Sequence, residues 1–347
     1  MIERENRALR KNEVPATPGF RTKVVWYNIA IYILMHYGMV YGYYLFFTSQ
    51  MKLITFVWAW MVGFLALFSI TVGAHRLFSH KAFKASKPLR ISLIFGFLLA
   101  GQNSLWEWVR DHRQHHRYSD TDADPHNAKR GFFFCHTGWL LMRKLPEVIE
   151  KGKETDMSDI NADKWIMFQK KYYGVLFFTI GVFIPVIVPV ILWDETLWNS
   201  FWLCFFSRYV TSLHFTWCVN SVAHFFGNKP YTKDMLPVET GWVSFITGGE
   251  GWHNFHHTFP WDYRASEYGR LNTTTAFIDL FAKLGWVTDL RYVSDEVIAC
   301  RIAKKGDGSH PLSKDTVGGN LPEIEFETSD IFGNKLAEYI HTMNKSE

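Results

Sequence analysis

The stretch WEWVRDHRQHHRYSDTDADPH, residues 106–126, carries histidines at His112, His115 and His116. On a helix, positions i, i+3 and i+4 share one face, so the three imidazoles converge. Neutral imidazole is a good ligand for iron, zinc or copper. A polar, arginine-rich surface helix that merely carries histidines would account for this stretch alone. It does not account for a second H-x-x-H-H at His253, His256 and His257, in GGEGWHNFHH. Nor does it account for His75 and His80, a pair at H-x-x-x-x-H. Together the three boxes predict a metal centre.

Long apolar runs flank these boxes. Val24 to about Phe47 carries no charge and exceeds the roughly 20 residues that cross a bilayer. A short polar break at 48–52 precedes a second run, 53–72, so the two predict an antiparallel hairpin. His75 and His80 are expected where that span meets water again. Residues 172–193 and 197–219 predict a second hairpin, with a kink at Pro185 and Pro189. Arg208 and His214 lie in its second helix, and a charged residue in a span usually faces the protein interior. Leu89–Ala100 is too short to span and reads as an interfacial or buried helix.

Lysine and arginine concentrate in residues 1–23 and 81–171, while the outer connections hold one lysine. The positive-inside rule then puts both termini and every histidine box in the cytosol. Residues 1–23 do not make a signal peptide, because the apolar run comes late, is too long and lacks a cleavage site. The expected fold is an all-α membrane protein. Four transmembrane helices, about 24–47, 53–72, 172–193 and 197–219, stand under a cytosolic helical cap. An N-terminal segment, 1–23, precedes the main domain, 24–306, whose cap comprises 73–171 and 220–306. Within it, Thr275–Leu284 reads as an amphipathic helix, and Ser294 as the cap of another that stops at Gly306. Residues 307–347 read as a polar tail, with one short helix near 330–343.

The chain has 347 residues and a formal charge of +4, which does not call for nucleic acid. Its four cysteines form no C-x-x-C pair and read as reduced. A mean hydropathy of −0.07 requires a substantial polar part beside the spans. Nine histidines form the candidate ligand set: His75, His80, His112, His115, His116, His224, His253, His256 and His257. One first-row metal takes at most about six ligands, so nine imply two metals. Structural zinc more usually recruits thiolates, and H-E-x-x-H is absent. An all-nitrogen, two-metal site beside membrane helices points to iron and oxygen chemistry on an apolar substrate.

HRLFSH (75–80), DHRQHH (111–116) and GEGWHNFHH (249–257) resemble the three histidine boxes of membrane acyl-CoA desaturases of the stearoyl-CoA, animal type. The likeness continues through GQNSLWEWVRDHRQHH, TDADPHNAKRGFFFCHTGWLL and NSVAHFFGNKPY, and covers roughly residues 20 to 305. The resemblance implies a mushroom-shaped fold and a diiron centre held by the nine histidines. Asn220, four residues before His224, would hold an iron through a water. His126, His136 and His214 fall outside the family's ligand set and read as hydrogen-bonded, partly buried histidines. By matching position, Asn28, Asn103, Arg110, Asp111, Arg143 and Lys144 would hold the coenzyme A head. For the basic members the reason is plain, since that head carries phosphates. Gln102, Trp108, Thr216 and Trp217 would line the bend of an acyl tunnel.

The resemblance further implies insertion of a cis double bond, Δ9 first, into a saturated fatty acyl-CoA. O2 is the co-substrate, and cytochrome b5 with its NADH-dependent reductase supplies two electrons. No flavin or dinucleotide fingerprint is present, in keeping with an external donor. The expected location is the endoplasmic reticulum membrane. Competing readings are a diiron fatty acyl hydroxylase or acetylenase, a desaturase of other regiospecificity such as Δ11, and a metal transporter. The boxes flank the spans on one side, which counts against a transport path.

Stepping back from His75 in fours reaches Thr71, Leu67 and Gly63 on one helix face. At the helical rise, Leu67 lies about 12 Å and Gly63 about 18 Å deeper than His75. The resemblance also places the closed end of the tunnel here. Leu67 is therefore expected to limit the methyl end of the chain, with Gly63 leaving room beyond it.

Overall fold

A computed structural model describes residues 22–267 and 272–315. Helix dominates, and the strands Lys84–Ala85 and Val287–Thr288 form one antiparallel pair. The principal helices are α1 (Trp26–Phe47), α2 (Leu53–Ser79), α3 (Leu105–Tyr118), α4 (Tyr173–Trp193), α5 (197–220) and α6 (His253–Thr258). Among the described residues, α1, α2 and α4 are long and apolar enough to cross a membrane. Helix α5 has comparable length, but Ser200, Ser207, Arg208, Thr211, Ser212, His214 and Thr216 dilute its apolar character.

The two hairpins meet at their turns. Glu195, buried in the second turn, accepts hydrogen bonds from Lys52 N (2.9 Å) and Thr55 Oγ1 (2.8 Å) of the first. Asn199 Nδ2 donates to Gln50 O at 2.6 Å.

Helix α2 does not end at 72. It runs on to Ser79, and residues 69–79 are buried rather than emerging into water at His75. This last part is a π-helix, with His80 N donating to His75 O at 3.2 Å. That register explains the H-x-x-x-x-H spacing. On an α-helix, positions i and i+5 point apart. The i→i+5 bonding of a π-helix stacks them instead, and the two rings lie 4.9 Å apart.

Two further π-segments, Phe177–Phe183 and Phe201–Ser207, lie in α4 and α5. Pro185 has no N–H to give Gly181 O, and Pro189 has none to give Pro185 O. Arg208 Nη2 donates to Gly181 O (2.8 Å) and Trp58 Nε1 to Pro185 O (2.9 Å). Arg208 also reaches Cys204 O and Leu99 O, at 2.8 and 2.7 Å. This cation thus satisfies carbonyls of three elements and is not a ligand. Arg208→Lys keeps the charge but loses the planar fork. It should cost roughly 2 kcal/mol, read as a lower thermal unfolding midpoint of the purified protein.

The remaining segments are shorter helices and turns. Helix Lys87–Gly96 continues as a 3₁₀ turn through Ala100 and is largely buried, in keeping with its short apolar run. Ser104 starts α3 with a reciprocal capping box to Glu107. One core joins Leu77, Phe78, Leu93, Phe97, Val109 and Ile278, and so fixes α2 against α3. Helices Thr273–Lys283 and Asp295–Lys305 form as expected, the latter between Ser294 and Gly306. The helix expected at 330–343 lies outside the described residues.

Candidate metal centre

Helices α2, with His80 just past its end, α3 and α6 and the short helix Val222–Phe225 bring all nine candidate histidines together in two groups. His75, His80, His112, His116 and His256 form the first, and His115, His224, His253 and His257 the second. Within each group the nitrogens lie inside 4.8 Å of one another. The groups are neighbours, since the His116 and His257 rings stack at 4.2 Å. The path from α5 to His224 breaks at Ser221, so Asn220 ends the long helix one turn before His224.

The Nε2 atoms face one another. Distances are 2.8 Å for His80–His112 and 2.9 Å for both His75–His256 and His116–His256. In the second group, His257 Nε2 lies 3.1 Å from His253 and 3.3 Å from His115. Two nitrogens each about 2.05 Å from one ion stand about 2.9 Å apart at right angles and about 3.3 Å at the tetrahedral angle. His224 is buried, and neither of its ring nitrogens has a hydrogen-bond partner among the described residues. These are the spacings and open lone pairs of a set shaped for metal.

Carboxylates fix the tautomers of two histidines. Glu250 Oε2 lies 2.7 Å from His75 Nδ1, and Asp124 Oδ2 lies 2.9 Å from His115 Nδ1. An acceptor at Nδ1 puts the proton there and leaves the Nε2 lone pair facing inward. Burial would raise both carboxyls, but His75 and Arg76 bring Glu250 to about 2, and His115 with His126 brings Asp124 to about 2. Burial, then neighbouring imidazoles and cations, holds His80 well below its ordinary pKa, and burial with imidazoles does the same for His112, His116, His253, His256 and His257. Neutral rings are the ligand form.

His126 lies near His115 and Asp124. His115 faces Asp124 through Nδ1, so this trio braces the second group instead of making a third centre. Asp124→Asn should weaken metal binding by roughly 10- to 100-fold, measured by competition with a chelator.

Glycines let the second box approach. A Cβ at Gly251 would sit 2.3 Å from Ser244 N and 2.4 Å from Thr240 O. Gly249 has φ +123, and a Cβ there would sit 2.4 Å from Asn272 Oδ1.

Three of the residues matched to a tunnel bend form one hydrogen-bonded string. Trp108 Nε1 donates to Gln102 Oε1 (3.1 Å), and Gln102 Nε2 to Thr216 Oγ1 (2.8 Å). Trp108 stacks on His112 at 4.9 Å, so the string touches the first group. Trp217 is buried against Tyr32, His136 and His214. His136 and His214 stand apart from both groups, in a chain with His36 in which each link is 3.1 Å.

Of the head-group set, Asp111 accepts from Arg110 Nη2 (2.6 Å) and Lys144 Nζ (2.5 Å) and so holds two cations side by side. Asn28 Nδ2 donates to Leu140 O at 2.7 Å. Arg143 pairs its backbone with Lys23, and Asn103 takes φ +64 after the Gly101 turn.

Gly63 and Leu67 both line a cavity of about 220 Å³ between α2 and α5. Thr71 does not line it. It accepts a hydrogen bond from Thr274 instead, because the π-register below His75 no longer returns every fourth residue to one line.

The sequence pattern of the family described as "Fatty acid desaturase" matches residues 53–274. An acyl-CoA Delta12-desaturase and an acyl-CoA Delta-9 desaturase of Acheta domesticus are each 50% identical over 295 residues, 84% of this chain and 82% of theirs. Stearoyl-CoA desaturase 5 of Homo sapiens is 46% identical over 298 residues, 86% of this chain and 90% of that protein.

Proposed function

Because this chain belongs to the fatty acid desaturase family, we propose that it is an acyl-CoA desaturase, an oxidoreductase that removes two hydrogens from a fatty acyl chain. The observation that carries this reading is the junction of the first histidine group with the Trp108–Gln102–Thr216 string. A bent chain seated along that string presents one pair of methylenes to the metal side, and position selectivity follows from geometry.

The metals are two irons, which when bound supply the oxidising power, drawn from O2, that breaks unactivated C–H bonds. His75, His80, His112, His116 and His256 hold one. His115, His224, His253 and His257 hold the other, with Asn220 acting through a water. Glu250 and Asp124 keep the ligand lone pairs aimed inward. Arg110, Arg143 and Lys144, with Asn28, Asn103 and Asp111, receive the coenzyme A head, and the paired cations on Asp111 suit its phosphates. Two electrons enter from cytochrome b5 and its NADH-dependent reductase.

Helices α1, α2, α4 and α5 all span the membrane, and the histidine-bearing segments cap them on the cytosolic side of the endoplasmic reticulum. The Glu195 lock between the two outer turns supports this arrangement. So does the excess of Lys and Arg before α1 and between α2 and α4. The first position for the double bond is Δ9 on a saturated chain. A Δ12 position is the second reading, since the Acheta domesticus proteins of both names are equally similar.

Expression in a desaturase-deficient yeast, followed by mapping of double bonds in its lipids, tests the reading. New Δ9 monoenes are expected. A strain that still requires unsaturated fatty acid, with the protein present in its membranes, contradicts it.

A further inference from the structure

The cavity past Leu67 is apolar on most of its wall, with Phe56, Ala59, Ile70, Leu203 and Phe215 among its lining. Its polar groups, Thr273 apart, lie in one strip on the side of α1 and α5. Tyr43, Thr211 and Ser212 face the space there. The Tyr43 and Thr211 hydroxyls share one hydrogen bond of 2.8 Å. Whichever donates it, the other keeps an O–H proton uncommitted. Ser212 Oγ has no hydrogen-bond partner among the described residues. Gly63 opens the space toward it, since a Cβ there would stand 3.8 Å from Ser212 Oγ and 3.6 Å from the Arg208 stem.

Unpaired hydroxyls are costly against hydrocarbon. A plain methyl end pushed past Leu67 would either strand them or sit over trapped water. An oxygen on the chain would satisfy them. Ser212 lies one turn from Thr216 on α5, about 6 Å farther from the bend. The Arg208 guanidinium is occupied with three carbonyls, so the strip offers neutral hydroxyls and suits a neutral oxygen better than a carboxylate. We propose that the deep end of this cavity selects acyl chains bearing a neutral oxygen function, a hydroxyl or an oxo group, in their distal half. The proposal rests on the acyl-CoA desaturase reading above and names a substrate class for it.

The test is competition between two acyl-CoAs of equal length, one plain and one with a distal hydroxyl, on the purified iron-loaded enzyme. Both products are quantified by mass. The hydroxylated chain should compete at least as well as the plain one. Ser212→Ala and Thr211→Val, each close to isosteric, should lower the hydroxylated-to-plain ratio roughly tenfold. Exclusion of the hydroxylated chain by the native protein overturns the proposal, as does one ratio shared by all three proteins, which is the result for a water-filled strip. Turnover of the plain chain alone leaves the desaturase reading standing while this one fails. Turnover of neither removes the reading beneath it.

Discussion

His256→Ala should abolish turnover and strip metal from the protein without unfolding it. His256 Nε2 stands 2.9 Å from both His75 Nε2 and His116 Nε2, which makes it the hub of the first group. An alanine removes one donor from each of these contacts and opens the first group to water. The fold survives because α6 is also held by Phe255, buried against Tyr231 and Phe259, and by Asn254, which binds Tyr231 N and Thr232 O. Metal analysis, circular dichroism and turnover on the same preparation check it. His116→Ala should behave alike. Native iron content and full activity in either variant would remove these residues from the ligand set.

Gly63→Trp should shift the preferred acyl chain to shorter lengths, and Leu67→Ala to longer ones. Both residues line the cavity between α2 and α5, so one substitution fills it and the other widens its entrance. The backbone tolerates a side chain at 63, because a Cβ there makes only ordinary contacts with Arg208 and Ser212. Since an indole occupies most of such a space, the loss for long chains should be large, on the order of 100-fold or more in kcat/KM. Competition among acyl-CoAs of graded length reads both shifts. Parent profiles in both variants, at comparable activity, would mean that the cavity is not the tunnel floor.

The helical nature of this chain was legible because long charge-free runs have few other solutions, and the histidine boxes because five-residue patterns seldom repeat by accident. Three things were not. The π-register of residues 69–79 is invisible to a 3.6-residue period, although the H-x-x-x-x-H spacing was its trace. The roles of Glu250 and Asp124 depend on which ring nitrogen each meets, a matter of tertiary placement. Their position within three and nine residues of box histidines was the available signal. Arg208 was expected only to face the protein interior. What it meets there includes Gly181 O, left without its helical partner by Pro185 of the neighbouring helix, a connection that only packing reveals.

The central claim is that this chain, whose two histidine groups would hold the irons, removes two hydrogens from an acyl-CoA chain. It is tested most directly by giving purified, iron-loaded protein an acyl-CoA, O2, cytochrome b5, its reductase and NADH, and weighing the acyl product. The account predicts a chain lighter by two hydrogens, with one cis double bond, formed by the native protein and not by His256→Ala. A chain heavier by one oxygen, or an unchanged chain from protein with both irons bound, would contradict it.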